Sequence, residues 1–600
     1  MRTLSYWDRV AGTRATRRRA VAGSLALAGG VAALAACGSN EGTAGGDDLA
    51  LASAKDTSSG AVRGGVLRSY MSREPLTFDV GTSDVSTTHG FGYRFFARLL
   101  KIKSGPGGEY EAQLPDGDFA ESWSTADGLT WIFKVRQGAR MQNVSPLDGR
   151  PIDAEDVTMS WDRFKAKNPK RGRYAMVDTV RAVDTRTVEI KLKYPYAPFT
   201  RILADTLGFW VMPKEYAQEK IDARNTAVGS GPWILDKYQP SALMEMRRNP
   251  DYFMSGLPYL DRVELPLVTE SAQQRAQFLA KAIYAYTPNA DDVWSLRSDV
   301  PGALMWKGMW TVGWPVIFFG RKEIDPTFHD VRVRRALSMA INREEFIDTF
   351  FDVSGSKQRG MQAEVRWSNA IAPGWAEWLD PRSKETGYPD KAPGKWYKYD
   401  PAEAKKLLTA AGYANGIDTT GFYFTGQSSD FMRRVQVTYD YFQQIGVRCK
   451  LEGQDYYTQF IPESVLKGNS KGIGFTPSGE FNEVDQMLYD HFMPQRNYWD
   501  PPGRVSGPEG TSNRNPGNFA DPDINALIEK QRRAMDMQER KAIIQEIQTR
   551  LSDVLWEIPW NGEADTGYTF THPWLMNERV WRATPDSSIR LWIDPKKLST

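Results

Sequence analysis

Side chains that commonly act as catalysts or metal ligands are scarce in this sequence. Its 600 residues include four histidines and two cysteines, and no histidine has the spaced His or Cys partner that a zinc motif requires. The histidines are His89, His329, His491 and His572. Neither a His-Glu-x-x-His motif nor a Gly-rich phosphate loop is present. We therefore expect no catalytic residue, no cofactor and no directly bound metal, while paired carboxylates and a chelator-borne metal stay open.

Cys37 is the residue whose surroundings most clearly indicate a chemical role. It follows a segment with six arginines and one aspartate, and then the uncharged run Ala20–Ala36. A cationic stretch before a short apolar run is typical of a signal peptide, and this Gly- and Ala-rich run is marginal for a spanning helix, which needs about 20 residues. Leu34-Ala35-Ala36-Cys37 resembles a bacterial lipobox, in which the thiol is acylated. We expect residues 1–36 to be removed and the protein to be exported and lipid-anchored at the outer face of the cell membrane.

Composition argues against a nucleic-acid partner and against a fold held by disulfides. Without residues 1–36 the chain has 70 basic and 73 acidic residues, so no positive field would hold a polyanion. If Cys37 carries lipid, Cys449 lacks a partner, and its alternating surroundings predict a strand in which it is a small hydrophobe. Residues 37–61, rich in Gly, Ser, Ala, Asp and Thr, predict a flexible tether behind the lipid.

Tryptophans are a further set of candidate binding residues. Trp306, Trp310 and Trp314 recur at four-residue spacing, and a second group lies between Trp367 and Trp396. Aromatic faces stack on sugar rings or cover peptide side chains, but they also pack against sheets. For the first group we favour packing, while Trp310 and Trp314 stay candidates for ligand contact. The second group is open between a rim around a binding site and packing.

Helix and strand signals alternate along the rest of the chain and predict α/β domains. Phe119–Trp123 and Thr130–Val135 flank Asp127-Gly128, a pattern typical of two strands joined by a hairpin turn. Aspartates, which complement the helix dipole, precede several helical patterns. The predicted helix starts are Asp153, Asp330 and Asp400, and the last two predicted helices run over about 523–534 and 537–555. Because single cores stop growing near ~250–300 residues, we expect at least two domains.

Six groups of residues follow one another in a characteristic order: Gly64–Leu67 with Glu74–Asp79, Phe119–Gly138, Asp153–Val157, Gly229–Trp233, Arg248–Tyr252 and Asp330–Arg343. In this order they resemble the extracellular solute-binding proteins of family 5, the oligopeptide-, dipeptide- and nickel-binding components of ABC importers. Each group is weak alone, and their order from Gly64 to about Trp574 makes the resemblance specific. Most have a structural role; Gly229 and Gly231, for example, would permit a backbone turn that side chains forbid.

The resemblance implies a mixed α/β, two-lobed periplasmic-binding-protein fold of type II, cluster C. On this chain, lobe I would comprise 62–320 and 556–600, with a subdomain at about 100–225, and lobe II would comprise 321–555. The chain would cross between the lobes at Trp314–Gly320 and Leu555–Trp560. A ligand would close the cleft by binding the closed form more tightly.

The resemblance also implies a place for the ligand. Peptide-binding members use an aspartate to receive the ligand's ammonium group, which is costly to bury without a carboxylate partner. The corresponding segment here is Pro477–Glu483, which puts the longer Glu480 at the anchor position, beside Ser478 and Phe481. We therefore expect a monomeric peptide-binding protein that serves ABC permease subunits and their ATPase. An oligosaccharide or other small organic solute is the alternative ligand, and a secreted hydrolase is the alternative class.

Overall fold

The structure, a computed structural model, describes residues 51–83, 85–105, 114–308, 315–372, 374–375, 378, 394–426, 429–476, 483–494, 515–560, 562–581 and 585–598. The elements before residue 308 are β1 Val66–Arg68, α1 Ser86–Phe95, β2 Leu100–Ile102, β3 Pro115–Gly117, β4 Ala120–Thr125, β5 Thr130–Val135, α2 Ala154–Lys167, β6 Val177–Asp184, β7 Thr187–Leu192, α3 Phe199–Leu203, α4 Lys214–Ala217, β8 Trp233–Gln239, β9 Leu243–Arg248, β10 Arg262–Pro266, α5 Ser271–Leu279, β11 Ala285–Tyr286, α6 Val293–Asp299 and β12 Leu304–Lys307.

The elements after residue 315 follow in the same way. They are β13 Val316–Phe319, α7 Val331–Ala340, α8 Arg343–Phe351, α9 Val353–Gln358, β14 Val365–Trp367, α10 Pro401–Ala410, β15 Ile417–Phe424, α11 Ser429–Gln444, β16 Val447–Gln454, a π-helix at Tyr456–Leu466, β17 Ile473–Thr476, α12 Val484–Phe492, α13 Pro522–Arg533, α14 Met537–Val554, β18 Ile558–Pro559, β19 Gly562–Ala564, β20 Tyr568–Thr571, β21 Leu575–Met576, α15 Asp586–Ile589, β22 Trp592–Ile593 and α16 Pro595–Leu598.

Several sheets organise the part of the chain before residue 308. An antiparallel sheet has the order β4-β5-β7-β6, with α2 packed on β6 and β7. A second sheet has the order β1-β10-β9-β8, in which only β1 and β10 run parallel. A third, β11-β20-β12, takes its middle strand from the far end of the chain. The chain therefore leaves this half of the molecule and returns to it.

A five-stranded mixed sheet organises the rest of the molecule, in the order β16-β15-β17-β13-β18. Strand β15 runs parallel to β16 and β17, whereas β13 is antiparallel to both of its neighbours, β17 and β18. Strands β13 and β18 come from opposite ends of the segment that builds this sheet, since one starts at Val316 and the other ends at Pro559. Entry and exit of the chain are thus adjacent.

The two largest clusters of buried apolar side chains in the described ranges share no residue. The cluster between Ala97 and Val228, which we call the amino core, packs under the β4-β5-β7-β6 sheet. The cluster between Val316 and Ala564, which we call the carboxyl core, packs around the five-stranded sheet. Cys449 belongs to the carboxyl core, in β16. Burial raises the pKa of its thiol to about 12, which makes it the inert small hydrophobe that its alternating surroundings indicate.

Aspartates begin the helices at the positions that the sequence predicts. The side chain of Asp153 accepts a hydrogen bond from the amide of Asp156, 3.1 Å away, in a capping box. Asp330 and Asp400 cap α7 and α10 by accepting from the amides of Arg332 and Glu403, at 2.8 Å each. The last two predicted helices agree with α13 and α14 to within a residue or so.

The predicted hairpin and one predicted glycine role have different outcomes. Asp127 accepts hydrogen bonds from the amides of Leu129 and Thr130 at 2.8 and 2.7 Å, and Gly128 has φ +70°, so the turn between β4 and β5 is as expected. Gly229 and Gly231 instead lie outside the left-handed region, and a side chain at either would overlap the backbone of Phe95. They are required for close packing, which corrects the turn interpretation.

Residues 51–61, which the sequence assigns to a flexible tether, are docked on the folded body. Leu51 packs against a small apolar cluster, and the amide of Ala52 donates to the carbonyl of Met305 at 2.8 Å. The amide and hydroxyl of Thr57 donate to Oδ1 of Asn577 at 2.8 and 2.6 Å. This part of the expected tether is therefore held in place rather than flexible.

Candidate functional site

The residues predicted to contact ligand lie outside the described part of the chain. Glu480, Ser478 and Phe481 fall in the segment 477–482, and Trp310 and Trp314 fall in 309–314. Cys37, the predicted lipid attachment point, also lies outside the described residues. The structure describes the residues on both sides of the segments 309–314 and 477–482.

The strands that border the segments 309–314 and 477–482 meet at one edge of the five-stranded sheet. Val316, the first residue of β13, is paired on one side with Thr476, the last residue of β17. On its other side Val316 is paired with Pro559, the last residue of β18. Open sheets commonly bind ligands at an edge where the chain path switches, because loops leave the strands there in different directions. This edge is therefore the candidate binding edge.

A cluster of buried aromatic side chains packs next to the candidate binding edge. Trp560 follows β18 and is completely buried, and its Nε1 donates to the hydroxyl of Thr438. Its ring lies 5.3 Å from that of Phe431 in an edge-on arrangement and 5.5 Å from that of Phe475. Phe475 belongs to β17. Packing between these large buried rings holds the ends of β18 and β17 in place.

Arg343, the first residue of α8, connects β18 to the end of α7. Its guanidinium is buried and donates to the carbonyl oxygens of Ser338, Tyr397 and Pro559 at 2.9, 3.1 and 3.2 Å. A buried guanidinium needs such acceptors, since an unsatisfied charge would be expensive to desolvate. Asn342 caps α8 just before it, accepting from the amide of Glu345 at 3.2 Å.

Charged residues are buried directly after the segment 477–482. Glu483 caps α12 and is 1% exposed, and its Oε1 lies 2.6 Å from Nη2 of Arg540 in α14. Asp485, two residues later, is completely buried. It pairs with Arg532 at 3.1 Å and accepts from the side-chain amide of Gln531. Burial raises the pKa of Glu483, against the opposing charge of Arg540. We call these five residues the acid–arginine cluster.

His491 and Glu557 form a second buried pair beside β18. Nδ1 of His491, near the end of α12, lies 2.9 Å from Oε2 of Glu557, which immediately precedes β18. Both side chains are buried. Together with the acid–arginine cluster, this pair holds α12 at both of its ends.

The tryptophans that the structure describes are part of the core. Trp306 is 6% exposed and donates from Nε1 to the hydroxyl of Thr571 at 2.7 Å, which is the packing role favoured from the sequence. The second group is buried in the carboxyl core, with exposures between 2% and 7%; it consists of Trp367, Trp375, Trp378 and Trp396. Packing is therefore confirmed for these four side chains, while residues 379–393 between them lie outside the described residues.

One pattern in the chain has the spacing of a serine hydrolase motif. Gly468-Asn469-Ser470-Lys471-Gly472 matches Gly-x-Ser-x-Gly, the spacing found around the nucleophile of many serine hydrolases. In such enzymes the serine follows a strand and begins a helix, whereas Ser470 follows the π-helix and precedes β17. Its hydroxyl contacts the hydroxyl of Ser464 and accepts from the side-chain amide of Gln454 at 3.3 Å. The geometry is that of a structural turn and not of a nucleophile.

Within the described ranges, no three His, Cys, Asp or Glu side chains are grouped so that they could hold a metal ion. Among the helices of those same ranges, none combines the length and the apolar character that crossing a bilayer requires.

Comparisons with known proteins agree on one family. Residues 115–499 match the family model of bacterial extracellular solute-binding proteins, family 5. The glutathione-binding protein GsiB of Salmonella paratyphi A is 25% identical over 74% of this chain and 78% of its own length. Di/tripeptide-binding protein 2 of Pseudomonas aeruginosa is 26% identical over 74% of this chain and 79% of its length.

The fold agrees with that of a solved periplasmic binding protein. The ABC transporter-associated protein DppA of Helicobacter pylori, solved with the peptide STSA, superposes with a TM-score of 0.69 over 90% of this chain and all of that chain, at 18% identity. The fold is thus the two-lobed type II periplasmic-binding-protein fold, and the family is one of extracytoplasmic proteins. The family match covers well over half of the chain, which therefore belongs to the bacterial extracellular solute-binding proteins of family 5.

Proposed function

We propose that this protein is the substrate-binding component of an ABC importer that captures oligopeptides between its two lobes and passes them to a permease. The observation that carries the proposal is the candidate binding edge, where Val316 pairs with both Thr476 and Pro559, in a chain that belongs to family 5. The names of the relatives favour a peptide as the ligand, because glutathione and di- and tripeptides are what they are named for.

The two cores support the proposed division into lobes. We place lobe I at 62–320 and 556–600, with a subdomain at about 100–225, and lobe II at 321–555. Most of the amino core falls inside the subdomain, and most of the carboxyl core falls inside lobe II. The crossings then coincide with β13 and β18, which are adjacent and short, so that a few residues could absorb the rotation of closure.

Glu480 is the proposed anchor for the ligand's ammonium group, with Ser478 and Phe481 beside it. Its segment leaves β17 at the candidate binding edge and ends at Glu483, whose carboxylate is already committed to Arg540. A carboxylate that has its own arginine is a poor partner for a ligand, which leaves Glu480 as the acidic residue of this segment for that role. Trp310 and Trp314 are proposed to cover the ligand from the other crossing.

The remaining features of the proposal concern the membrane and the reaction class. We propose that Cys37 carries lipid, that the mature protein is a monomer on the outer face of the cell membrane, and that it performs no catalysis. The structural turn around Ser470 supports a binding role over a hydrolase. Partners are the permease subunits and their ATPase, with no nucleic acid.

Native mass spectrometry of soluble protein begun at Gly38 tests the proposal. Intact mass is compared before and after denaturation, so that any ligand retained through purification is released and weighed. A ladder of peptide masses is the expected result. Sugar or other organic masses would replace peptide as the ligand, and an empty protein would lead to thermal-shift screening of peptides, in which ligand at 100 times its Kd adds about 2.7 kcal/mol of stability. No shift with any peptide would overturn the peptide assignment.

A further inference from the structure

Tyr196 joins the amino core directly to the acid–arginine cluster. It lies between β7 and α3, its ring belongs to the amino core, and it is completely buried. Its hydroxyl donates to Oδ2 of Asp485 at 2.5 Å. Asp485 is in α12, whose apolar residues pack in the carboxyl core. The two partners are 289 positions apart in sequence, and one hydrogen bond connects elements that build different cores.

Three neighbouring contacts reinforce the same junction. The amide of Ala197 donates to the carbonyl of Arg532 at 2.8 Å. The guanidinium of Arg532 lies 5.2 Å from the ring centre of Tyr196 and 4.1 Å from that of Tyr489, so it is held by one aromatic ring from each side. At the solvent edge, Met535 lies against the hairpin turn at Gly128. Backbone, charged and apolar contacts therefore all form at one place.

The chemistry of this junction suits a reversible contact. Hydrogen bonds to a charged partner are stronger than those between neutral groups, and the acceptor of Tyr196 is a buried acidic side chain that also contacts Arg532. If the lobes separate, water can hydrate both Tyr196 and Asp485, so neither group is left unsatisfied in the open form. The closed form is thereby favoured by a modest amount, which a small cost elsewhere can balance.

The junction is also close in sequence to the proposed ligand anchor. Asp485 lies two residues after Glu483, the residue that ends the segment of Glu480 and caps α12. Glu483 and Asp485 are bridged through Arg540 and Gln531, since Nε of Arg540 donates to Oε1 of Gln531 at 3.1 Å. Glu483, which follows the segment 477–482, and the acceptor of Tyr196 therefore belong to one connected set of buried polar side chains.

We propose that Tyr196 and Asp485 form a latch that holds the two lobes in the closed arrangement and sets how much of the ligand-free protein is closed. This inference deepens the proposed function and rests on it for its biological use. Apparent affinity falls in proportion to the population of the competent state, so the latch tunes ligand affinity without touching ligand.

Pulsed electron–electron spin distance measurements on ligand-free protein test the latch. The full chain carries Cys37→Ser, and spin labels are placed at Val183→Cys in β6 and Lys405→Cys in α10, both exposed positions on different cores. Cys449 stays unlabelled because its thiol is buried. The test variant is Tyr196→Phe, which removes one hydroxyl and keeps the ring.

Tyr174→Phe is the matched control. Tyr174 is also buried in the amino core, and its hydroxyl bonds the carbonyl of Ile202 at 2.9 Å and the amide of Phe209 at 2.8 Å within that same core. We expect Tyr196→Phe to lower the ratio of closed to open molecules about tenfold, as one hydrogen bond to a charge would. Tyr174→Phe should lower the melting temperature and leave the distances as in the wild type.

Other outcomes would overturn the latch. They are unchanged distances in Tyr196→Phe, an equal shift in Tyr174→Phe, and a wild type with no closed population. Asp485→Asn gives a second test: combining it with Tyr196→Phe should add little to the shift that either produces alone. Because the distances are read without ligand, a failure of the latch is distinguishable from a failure of peptide binding in mass spectrometry.

Discussion

Oε1 of Glu483 and Nη2 of Arg540 lie 2.6 Å apart, and both side chains are almost completely buried. This pair ties the first residue before α12 to the helix α14. Removing one partner of a buried pair leaves an uncompensated charge in the interior. Arg540→Met should therefore lower the free energy of unfolding by about 3–5 kcal/mol, measured by urea denaturation at pH 7.

A matched control for that prediction is present on the same helix. Arg550 pairs with Glu546 at 2.7 Å, but both side chains are more than 40% exposed. Exposed pairs contribute little, so Arg550→Met should change stability by less than about 1 kcal/mol. The double variant Glu483→Gln/Arg540→Met should recover part of the loss. Equal effects of Arg540→Met and Arg550→Met would contradict the assignment of a strong buried pair.

Glu480 is predicted to receive the ligand's ammonium group. Glu480→Ala should weaken binding of a peptide with a free amino terminus by about 2–5 kcal/mol, because the ammonium would be buried without a partner. Titration calorimetry with a peptide identified by mass spectrometry measures the change. Glu344→Ala, an exposed glutamate in α8, is the control and should bind as the wild type does. An N-acetylated peptide should bind weakly to the wild type, and unchanged affinity in Glu480→Ala would remove Glu480 from the site.

His89 makes stability depend on pH. Its Nε2 lies 2.9 Å from the carbonyl of Ser83 and its Nδ1 lies 2.9 Å from Nε1 of Trp210, which fixes a neutral imidazole. Burial, with the charge of Lys170, lowers the pKa of His89 to about 4. The unfolded chain, with a histidine pKa of about 6.5, binds the proton more readily, so stability is complete above that pH and falls as pH approaches 4.

The size of that effect follows from the two pKa values. Between pH 7.5 and pH 5 this one group should cost about 2 kcal/mol of unfolding free energy. Urea denaturation of wild type and His89→Gln at both pH values isolates its contribution, since the other titrating groups are shared. The variant should lose about 2 kcal/mol less than the wild type on acidification. Parallel losses in the two proteins would show that the pKa of His89 is the same in the folded and unfolded states.

Local features of the fold were predictable from local sequence. Helix starts at Asp153, Asp330 and Asp400, and the turn at Asp127-Gly128, depend on hydrogen bonds between residues at most three apart. Short-range rules of capping and turn geometry are therefore sufficient for them. The order of the family motifs then supplied the two-lobed fold, which no local rule contains.

The contacts around the candidate binding edge were not predictable in the same way. Glu483 reads in the sequence as one of several loop carboxylates, and its partner Arg540 is 57 residues away. Tyr196 and Asp485 are separated by even more of the chain, and nothing in either segment names the other. The tryptophans between Trp367 and Trp396 gave no periodic signal that could distinguish a rim from a core. Such pairings depend on tertiary packing, for which single-sequence patterns carry little information.

The amino-terminal arm, residues 51–60, should contribute measurable stability. Oγ1 of Thr57 donates to Asn577 at 2.6 Å and accepts from Nε1 of Trp592 at 3.0 Å, so it ties the arm to the last strands of the fold. Asn577 also donates to the hydroxyl of Ser58 at 3.1 Å. Thr57→Val keeps the shape and removes both hydroxyl bonds, which should lower the free energy of unfolding by about 1–2 kcal/mol.

Thermal and urea unfolding of three proteins that begin at Gly38, Leu51 and Ala61 extends this test to the whole arm. The first two should be equally stable, because both retain Leu51 and Thr57, whereas the third should unfold at lower temperature. Ser53→Ala, at an exposed position of the arm, should have no effect and serves as the control for Thr57→Val. If the protein that begins at Ala61 were as stable as the others, the arm would lie on the surface without stabilising it, and the tether would extend functionally to residue 61.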